Sequence, residues 1–465
     1  MRDAYRAQTP VATGLKVVDV EEWFTAIHTD DTASMLADAA WSSGARAPLL
    51  DSKVLQHASA LHVMSHELKP RMIAADQRGS GTCWAFAGLA ILERKLAVRL
   101  KLQNDFRLSV AYLQFYDKLE KAYAYLMHAR YTRHTARDSR LVQYLLSDPV
   151  PDGGSWASFV ALVEKYGIVP EAAYPQSAAA SNTEYLNRIL CNLLQRAAHQ
   201  IRTREPRAEY SDFETLVSDT MFRVQRVLCI CLGAPPRGRF GWEYHDKKDR
   251  VKRKNVSPGE LYELSGAHLD AYASLSNVVS TELDSLEGVG CVSARPGESC
   301  AHTVFEVANA TTVWGCAAAR FTNVSGERLA EEAKVALDNK HAVFCGVEFG
   351  PARLAERGIL HHDLVHYKRA TGVDPPSKGM RYDIHGVQLD HALLLVGYHD
   401  NGGKVVRWLV QNSHGTEHED GYLSMSHGWF LQHVFYITVP APAIRTSGKP
   451  TIVQPWSIFG ALARH

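Results

Sequence analysis

The chain has 465 residues, of which 46% are hydrophobic and 22% charged, and its formal net charge is +1. This composition is typical of a soluble globular protein with two or three domains, or with one large domain that carries an insertion. The balanced charge gives no field that would favour nucleic acid or anionic lipid as a partner, and no apolar run approaches the roughly 18 residues that a membrane span needs.

The N-terminus and the cysteines predict a cytoplasmic protein. The opening segment MRDAYRAQTPVATGLKVVDVEEWF has no continuous apolar core after its basic start, so it does not match a secretory signal. The eight cysteines include no CxxC pair and are expected to be mostly reduced thiols rather than disulfides. No metal ion, cofactor or membrane partner is expected.

The first predicted elements are helical. Residues 1–70 show helical patterns and no chemical motif. The polar stretch RGSGT then leads into CWAFAGLAILERKLAVRL, whose leucines recur at three- and four-residue spacing, as on a buried helix face. Cys83 is therefore predicted at the N-terminus of a helix, after Gly79 and Gly81, which permit a tight turn.

The middle of the chain combines turns and helices before the pattern changes to strands. The turn cluster PVPDGG holds Gly153 and Gly154 and precedes another helical segment. Residues 183–340 contain further helical runs and the basic cluster KKDRVKRK (247–254), which is expected to be a solvated arm, with a nucleic-acid patch as the weaker alternative. The last quarter holds short apolar segments rich in β-forming residues, so the sequence predicts an α+β fold.

A thiol at a helix N-terminus is the first chemical signal. Unpaired backbone N–H groups and the helix dipole at that position favour the thiolate of Cys83. Gln77 lies six residues upstream, where its side-chain amide could donate to an oxyanion together with the backbone N–H of Cys83. Taken alone, Cys83 would more often be structural and Gln77 a solvated loop residue, so the assignment depends on their partners.

The partners come from a predicted hairpin. The segment from His391 to Asn412 has the pattern of strand, turn and strand, with Asn401-Gly402 as a strong turn signal. In a hairpin centred on that pair, His391 and Asn412 would face each other with Cβ atoms about 5 Å apart. Asn412 would then orient the imidazole towards Cys83. The three residues form a Cys-His-Asn site that can perform covalent acyl transfer through a thioester.

Three motifs, in this order, resemble the papain superfamily: DQRGSGTCWAFA (76–87), DHALLLVGY (390–398) and WLVQNSHG (408–415). Within it, the chain resembles the bleomycin hydrolase and aminopeptidase C family in further segments, among them LSVAYLQFYDKLEKA, VLCICLGAPP and the tail PWSIFGALARH. The resemblance covers roughly residues 50–465. It implies a cytosolic cysteine aminopeptidase with peptides as substrates.

The resemblance also implies roles and an architecture. Cys83 would be the nucleophile, His391 the base and Asn412 the residue that orients the base, and a homohexamer would place the active sites on an internal channel. The implied fold is papain-like, with a helical subdomain, an antiparallel β-barrel-like subdomain and a large helical insertion. The implied divisions are an N-terminal helical extension (1–70), the helical subdomain with the nucleophile (71–182), the insertion for oligomerisation (183–340), the β-rich subdomain (341–454) and a tail into the active-site cleft (455–465). The residues that would bind the substrate backbone are Gly153, Gly154 and Ala463.

Two positions depart from the family. The residue after the Asn-Ser pair is usually Trp, which shields the His–Asn hydrogen bond from water, whereas here it is His414. Solvent is therefore expected to weaken the orientation of His391. The tail also runs past Ala463 to Arg464 and His465, which are expected to block the cleft unless they are trimmed.

Two other functions remain open from the sequence. One is a catalytically weakened relative that acts as a scaffold or binds nucleic acid through residues 247–254, and the intact set of Gln77, Cys83, His391 and Asn412 argues against it. The other is a transglutaminase or another acyltransferase with the same chemistry. Such an enzyme usually has Asp as the orienting residue, so the Asn disfavours it.

Overall fold

The computed structural model describes the following residues: 15–58, 63–203, 210–277, 303–308, 313–316, 318–350, 353–354, 357–378, 380–381, 389–416, 419–440 and 451–453. The chain divides into a first unit, Met1–Ser59 with Asp363–Pro376, and a second unit, Ala60–His362 with Ser377–His465. The predicted tail 455–465, including Ala463, lies outside the described residues.

The α-helices in chain order are α1 (Val17–His28), α2 (Asp31–Ser43), α3 (Ser52–Ala58), α4 (Cys83–Leu100), α5 (Val110–Tyr131), α6 (Arg140–Leu146), α7 (Trp156–Tyr166), α8 (Ala178–Ser181), α9 (Glu184–Thr203), α10 (Tyr210–Leu232), α11 (Pro258–Ser265), α12 (Gly326–Asp338), α13 (Tyr367–Thr371) and α14 (His427–His433). Short 3₁₀ turns lie at Ala47–Leu49, Glu171–Ala173, Leu269–Ala271 and Glu419–Gly421. None of the described helices is both long and apolar enough to cross a membrane.

The strands are β1 (His66–Glu67), β2 (Phe240–His245), β3 (Val251–Val256), β4 (Tyr272–Ser276), β5 (Thr303–Val307), β6 (Ala319–Asn323), β7 (Val343–Val347), β8 (Arg353–Leu354), β9 (Ile359–Leu360), β10 (His391–Asn401), β11 (Lys404–Gln411), β12 (Tyr422–Ser426), β13 (Val434–Pro440) and β14 (Thr451–Val453). β2 and β3 form a separate hairpin.

The other strands form one mixed sheet in the second unit, in the order β14-β5-β6-β4-β13-β7-β10-β11-β12-β9-β8, with β1 added on β10. Its centre, from β13 to β12, is antiparallel, and its parallel pairs are β14 with β5, β4 with β6 and β12 with β9. Because β10 lies between β7 and β11, every residue of its first half is buried. The predicted α+β class is confirmed.

Helix α4 packs against this sheet with the predicted apolar face. Leu89, Leu92 and Leu96 are buried, and the helix lies against β10, α5 and α7. At Gly88 an added Cβ would lie 2.7 Å from the ring of Phe159 in α7, so the small residue permits the close approach of the two helices. This packing fixes the direction of α4, and with it the position of its N-terminus.

The segment 183–340, expected to be helical, also contributes strands. Besides α9, α10, α11 and α12 it contains β4, β5 and β6 of the large sheet. The short strands gave no clear alternating pattern in the sequence. β4 is held by pairing with β13, which is distant in the chain, and β6 and β5 extend the sheet from β4. The division of the chain into domains stays a prediction.

The turn of the central hairpin is one residue later than predicted. Asn401 pairs with Lys404, so Gly402 and Gly403 are the two central turn residues. Their φ values are 61° and 84°. A two-residue hairpin turn of this type needs positive φ at both positions, and two glycines adopt it at lower cost than Asn followed by Gly.

The predicted direct pairing of His391 with Asn412 is therefore wrong. The β10–β11 ladder ends at the pair Leu394–Gln411, after two irregularities that change its register. Continued by one pair, this register sets Asn412 opposite Leu393, which lies two residues from His391 on the same face of β10. Diagonal neighbours of this kind are still within side-chain reach, so the two side chains meet through a different pairing.

Candidate active site

Cys83 is the first residue of α4, and the turn before it is held by local contacts. Ser80 Oγ donates to the carbonyl of Gln77 at 2.7 Å. Gly81 has a φ of 57°, a conformation that favours glycine. A Cβ added to Gly81 would lie 2.8 Å from Cβ of Asp152, so the turn also approaches the loop that carries the predicted glycine pair.

The thiol of Cys83 is buried against the start of β10. Burial raises its pKa to about 11, while the backbone N–H groups of Ala392 and Trp84 act in the opposite direction. The nearby Asp390 carboxylate raises the pKa further. Desolvation of the charged form thus opposes the backbone dipoles of the helix N-terminus, which favour it. The thiolate expected at this position stays a prediction.

His391 and Asn412 form a buried hydrogen bond. His391 Nε2 and Asn412 Oδ1 are 2.7 Å apart, and both residues are less than a tenth exposed. Burial lowers the pKa of His391 to about 3, whereas the hydrogen bond that the ring donates to Asn412 favours the protonated form. With the amide oxygen as acceptor, the neutral imidazole carries its proton on Nε2 and leaves Nδ1 as an acceptor.

Two further rings cover the imidazole. The ring centroid of Phe349 is 4.6 Å from that of His391, and the centroid of His414 is 4.9 Å away. Because His391 and Asn412 are buried, the expected exposure of their hydrogen bond to solvent is not observed. His414 and Arg353 both lower the pKa of His391 by charge repulsion. Phe349 was not predicted, since it lies far from the motifs in sequence.

Gln77 is held in one orientation by the residue after Asn412. Ser413 Oγ donates to Gln77 Oε1 at 2.6 Å, and the backbone N–H of Gln77 donates to the Ser413 carbonyl at 2.7 Å. The amide oxygen is thus occupied, and the amide nitrogen is left as a donor for an oxyanion. Sequence reasoning identified Gln77 but not Ser413, although both belong to the quoted motifs.

Gly154 lies directly against the residue that follows the nucleophile. A Cβ added to Gly154 would be 2.4 Å from the indole of Trp84, so only glycine fits there. A Cβ added to Gly153 would meet no atom within 4 Å. Trp84 Nε1 donates to the Asp152 carbonyl at 2.9 Å, which ties this loop to the N-terminus of α4. The loop with the two predicted substrate-binding glycines therefore lies against Trp84, the residue that follows Cys83.

The basic cluster 247–254 spans the end of the β2–β3 hairpin. Arg250 pairs with Asp246 at 2.7 Å, and Arg253 with Glu243 at 2.7 Å. These arginines are exposed and partly neutralised by local carboxylates, as expected of a solvated arm. The free thiols in the described part of the chain are Cys83, Cys191, Cys229, Cys231, Cys316 and Cys345.

The chain is similar to known proteins over nearly its whole length. The sequence model of the Peptidase C1-like family matches residues 14–456. Aminopeptidase C of Lactococcus lactis subsp. lactis is 30% identical over 417 residues, which cover 88% of this chain and 90% of the relative. Bleomycin hydrolase of Homo sapiens is 28% identical over 421 residues, which cover 86% of this chain and 88% of the relative. The crystal structure of PepW from Lactobacillus rhamnosis HN001 superposes with a TM-score of 0.88 at 26% identity, covering 97% of this chain and 100% of that one.

We expect alkylation of Cys83 by iodoacetamide to depend on His391. When the thiol proton moves to the imidazole, the Cys83–His391 pair as a whole neither gains nor loses a proton. The rate of alkylation should therefore vary less than about threefold between pH 5 and 8. In His391→Ala the rate at pH 7 should fall about tenfold or more and rise with pH, as for an isolated thiol. Peptide mapping by mass spectrometry measures both, with exposed Cys316 as the internal control. Equal rates in the two proteins would exclude His391 as the base.

We also expect His414→Trp to raise kcat. The indole would keep the cover over His391 and remove a group whose charge opposes the imidazolium. A gain of about fivefold corresponds to about 1 kcal/mol of transition-state stabilisation. His414→Ala is the matched control and should lower kcat, because it uncovers the hydrogen bond to Asn412. Steady-state kinetics that show no gain for Trp would contradict the repulsive role of His414.

Proposed function

The chain belongs to the Peptidase C1-like family, and we propose that it is a cysteine aminopeptidase that removes residues from the N-termini of peptides. The names of its relatives support this activity class. The observation that carries the chemical part of the proposal is the buried 2.7 Å hydrogen bond between His391 and Asn412, beside the thiol of Cys83. That arrangement supplies a nucleophile, a base and a group that fixes the base.

The first half of the proposed reaction forms a thioester. The Cys83 sulfur attacks the carbonyl carbon of the scissile peptide bond while its proton moves to Nδ1 of His391. The developing oxyanion accepts hydrogen bonds from the backbone N–H of Cys83 and the side-chain amide of Gln77. The C–N bond then breaks, and His391 gives its proton to the leaving amine. The burial of the site strengthens each of these interactions.

The second half releases the acyl group. Water attacks the thioester carbon as His391 removes one of its protons, and the same oxyanion contacts stabilise the tetrahedral intermediate. The C–S bond breaks, and the proton returns from His391 to the sulfur of Cys83. Throughout, Asn412 accepts from Nε2 and keeps the ring in one orientation, so the imidazole can alternate between base and acid without turning.

The scaffold or nucleic-acid-binding alternative has less support. It requires an inactive site and a free basic surface. The pairing of Arg250 and Arg253 with carboxylates reduces the positive field of the cluster 247–254. The acyltransferase alternative would need an acceptor other than water.

A homohexamer is proposed as the assembly, with an internal channel that would limit access to unfolded peptides. The first unit supports self-association by the apolar side chains that it exposes on α1 and α2. Trp41 is 94% exposed, Met35 73%, Phe24 60% and Trp23 54%. Large exposed apolar surface of this kind marks interfaces. The free thiols agree with a cytoplasmic location, where cysteines are kept reduced.

We expect aminoacyl substrates with a free α-amino group to be hydrolysed much faster than their N-acetylated forms. By resemblance, the tail 455–465 enters the cleft and limits the space beyond the residue that is removed. Fluorogenic amides with and without an acetyl group measure the ratio, and Cys83→Ala is the inactive control. Deleting residues 460–465 should lower turnover of the free amine and admit blocked peptides. An unchanged preference after deletion would show that the tail does not set it.

We expect the exposed face of α1 and α2 to mediate assembly. Trp41→Glu should shift the protein from the mass of six chains to smaller species, because it places a charge in an apolar contact. Sedimentation velocity measures the distribution. Val98→Glu, at an exposed apolar position of α4 in the second unit and outside the insertion 183–340, is the matched control and should leave the assembly intact. A hexamer that survives Trp41→Glu unchanged would exclude this face as the interface.

A further inference from the structure

The loop that carries Gly153 and Gly154 is held by buried lysines. Loop residues 150–154 connect the helical segments and form no strand or helix. Residues 150–152 are at least half-buried, whereas Gly153 and Gly154 are exposed. The loop carbonyls that face the interior need donors, because an unpaired carbonyl away from water costs free energy. Helix α5 supplies them from two lysines one turn apart, Lys118 and Lys121, which share one helix face.

Lys118 anchors the first half of the loop. Its side chain is fully buried, and Nζ donates to the Val150 carbonyl at 2.7 Å and to Asp152 Oδ1 at 2.6 Å. The other carboxylate oxygen of Asp152 accepts from Thr183 Oγ1 at 2.8 Å and from Asn187 Nδ2 at 3.0 Å. The Asp152 side chain therefore has protein partners on both oxygens, and this part of the loop has one well-defined position.

Lys121 anchors the second half, next to the glycines. Its Nζ donates to the carbonyl of Pro151 at 2.7 Å, to the carbonyl of Gly153 at 2.8 Å and to Asp117 Oδ2 at 2.6 Å. These contacts use all three donors of the ammonium group. Lys121 and Asp117 are both buried, so their charges have little access to solvent.

The loop also touches the nucleophile's own helix. Trp84 follows Cys83 directly, its Nε1 donates to the Asp152 carbonyl, and its indole lies against Gly154. The Nζ of Lys121 lies 5.7 Å from the centre of the Trp84 ring. The glycine loop is thus held by contacts from both α4 and α5. Its distance from the thiol is set by both contacts.

A buried ion pair is weak support for stability, since apolar residues of similar volume often serve as well or better. What apolar residues cannot do is donate to two loop carbonyls. We propose that Lys121 is a positioning residue for peptide binding: through the carbonyls of Pro151 and Gly153 it sets where the Gly153–Gly154 backbone meets the substrate relative to Cys83. The inference rests on the proposed peptidase function.

The test distinguishes a displaced glycine loop from a general loss of fold stability. Asp117→Leu/Lys121→Met removes both buried charges together and leaves neither unpaired, but it deletes the donors to the loop. We expect kcat/KM for a free-amino aminoacyl amide to fall about tenfold or more, because a small misplacement of the substrate is enough for such a loss. Alkylation of Cys83 by iodoacetamide, which needs no glycine contact, should stay within about twofold.

The matched control is Asp117→Glu, which keeps a carboxylate beside Lys121 and Lys121 on both carbonyls, and it should retain kcat/KM within about threefold. Thermal unfolding verifies that each variant is folded. If the double variant does not fold, Asp117→Asn/Lys121→Met takes its place with the same expectation, since the thioether supplies no donor to the two carbonyls. A folded double variant with unchanged kcat/KM overturns the inference. Equal losses in kcat/KM and in alkylation also overturn it, because they indicate a general structural role.

The affinity of an inactive variant for a peptide tests the role of Lys121 independently of peptidase activity. In the Cys83→Ala background, calorimetry with a free-amino tripeptide should show about tenfold weaker binding when Asp117→Leu/Lys121→Met is added. Equal affinities overturn the role of Lys121. Absence of turnover in the wild-type protein would instead count against the peptidase proposal, and the affinity comparison would still decide the role of the lysine.

Discussion

The hydrogen bond between His391 and Asn412 is the constraint on which the site depends. It fixes the tautomer and the plane of the imidazole, and it is buried because the two residues lie at the ends of adjacent strands under Phe349 and His414. Asn412 is itself held by its backbone, whose N–H donates to the carbonyl of Gly421 at 3.0 Å. The central antiparallel strands of the sheet are thus the rigid support of His391, the proposed base, while helix α4 supports the thiol.

Burial also acts on the charges of the site. It raises the pKa of Cys83 and lowers that of His391, because desolvation penalises the charged form of each group. In the proposed reaction the proton of Cys83 passes to His391 as the sulfur attacks. The same exclusion of water strengthens the contacts that Gln77 and the first N–H groups of α4 offer to an oxyanion.

Local patterns were enough to select the candidate site residues, and long-range contacts were not predictable from them. The leucine spacing after Cys83 located α4, and the β-rich segments located the strands that hold His391 and Asn412. The register of that hairpin was mispredicted because Gly402-Gly403 competes with Asn401-Gly402 for the turn. The Phe349 ring over His391 and the lysines that hold the glycine loop lie far from the site motifs in sequence and contact the site only in the folded chain. No spacing in the sequence relates Lys121 to Gly153 or Phe349 to His391.

The central claim is that Cys83 forms a thioester with the substrate, and acid-quenched mass spectrometry during turnover of a free-amino aminoacyl ester tests it most directly. We expect a mass increase equal to one aminoacyl group on the peptide that contains Cys83, and this increase should disappear when the ester is exhausted. Turnover without any adduct on Cys83, or an adduct confined to another cysteine, would contradict it.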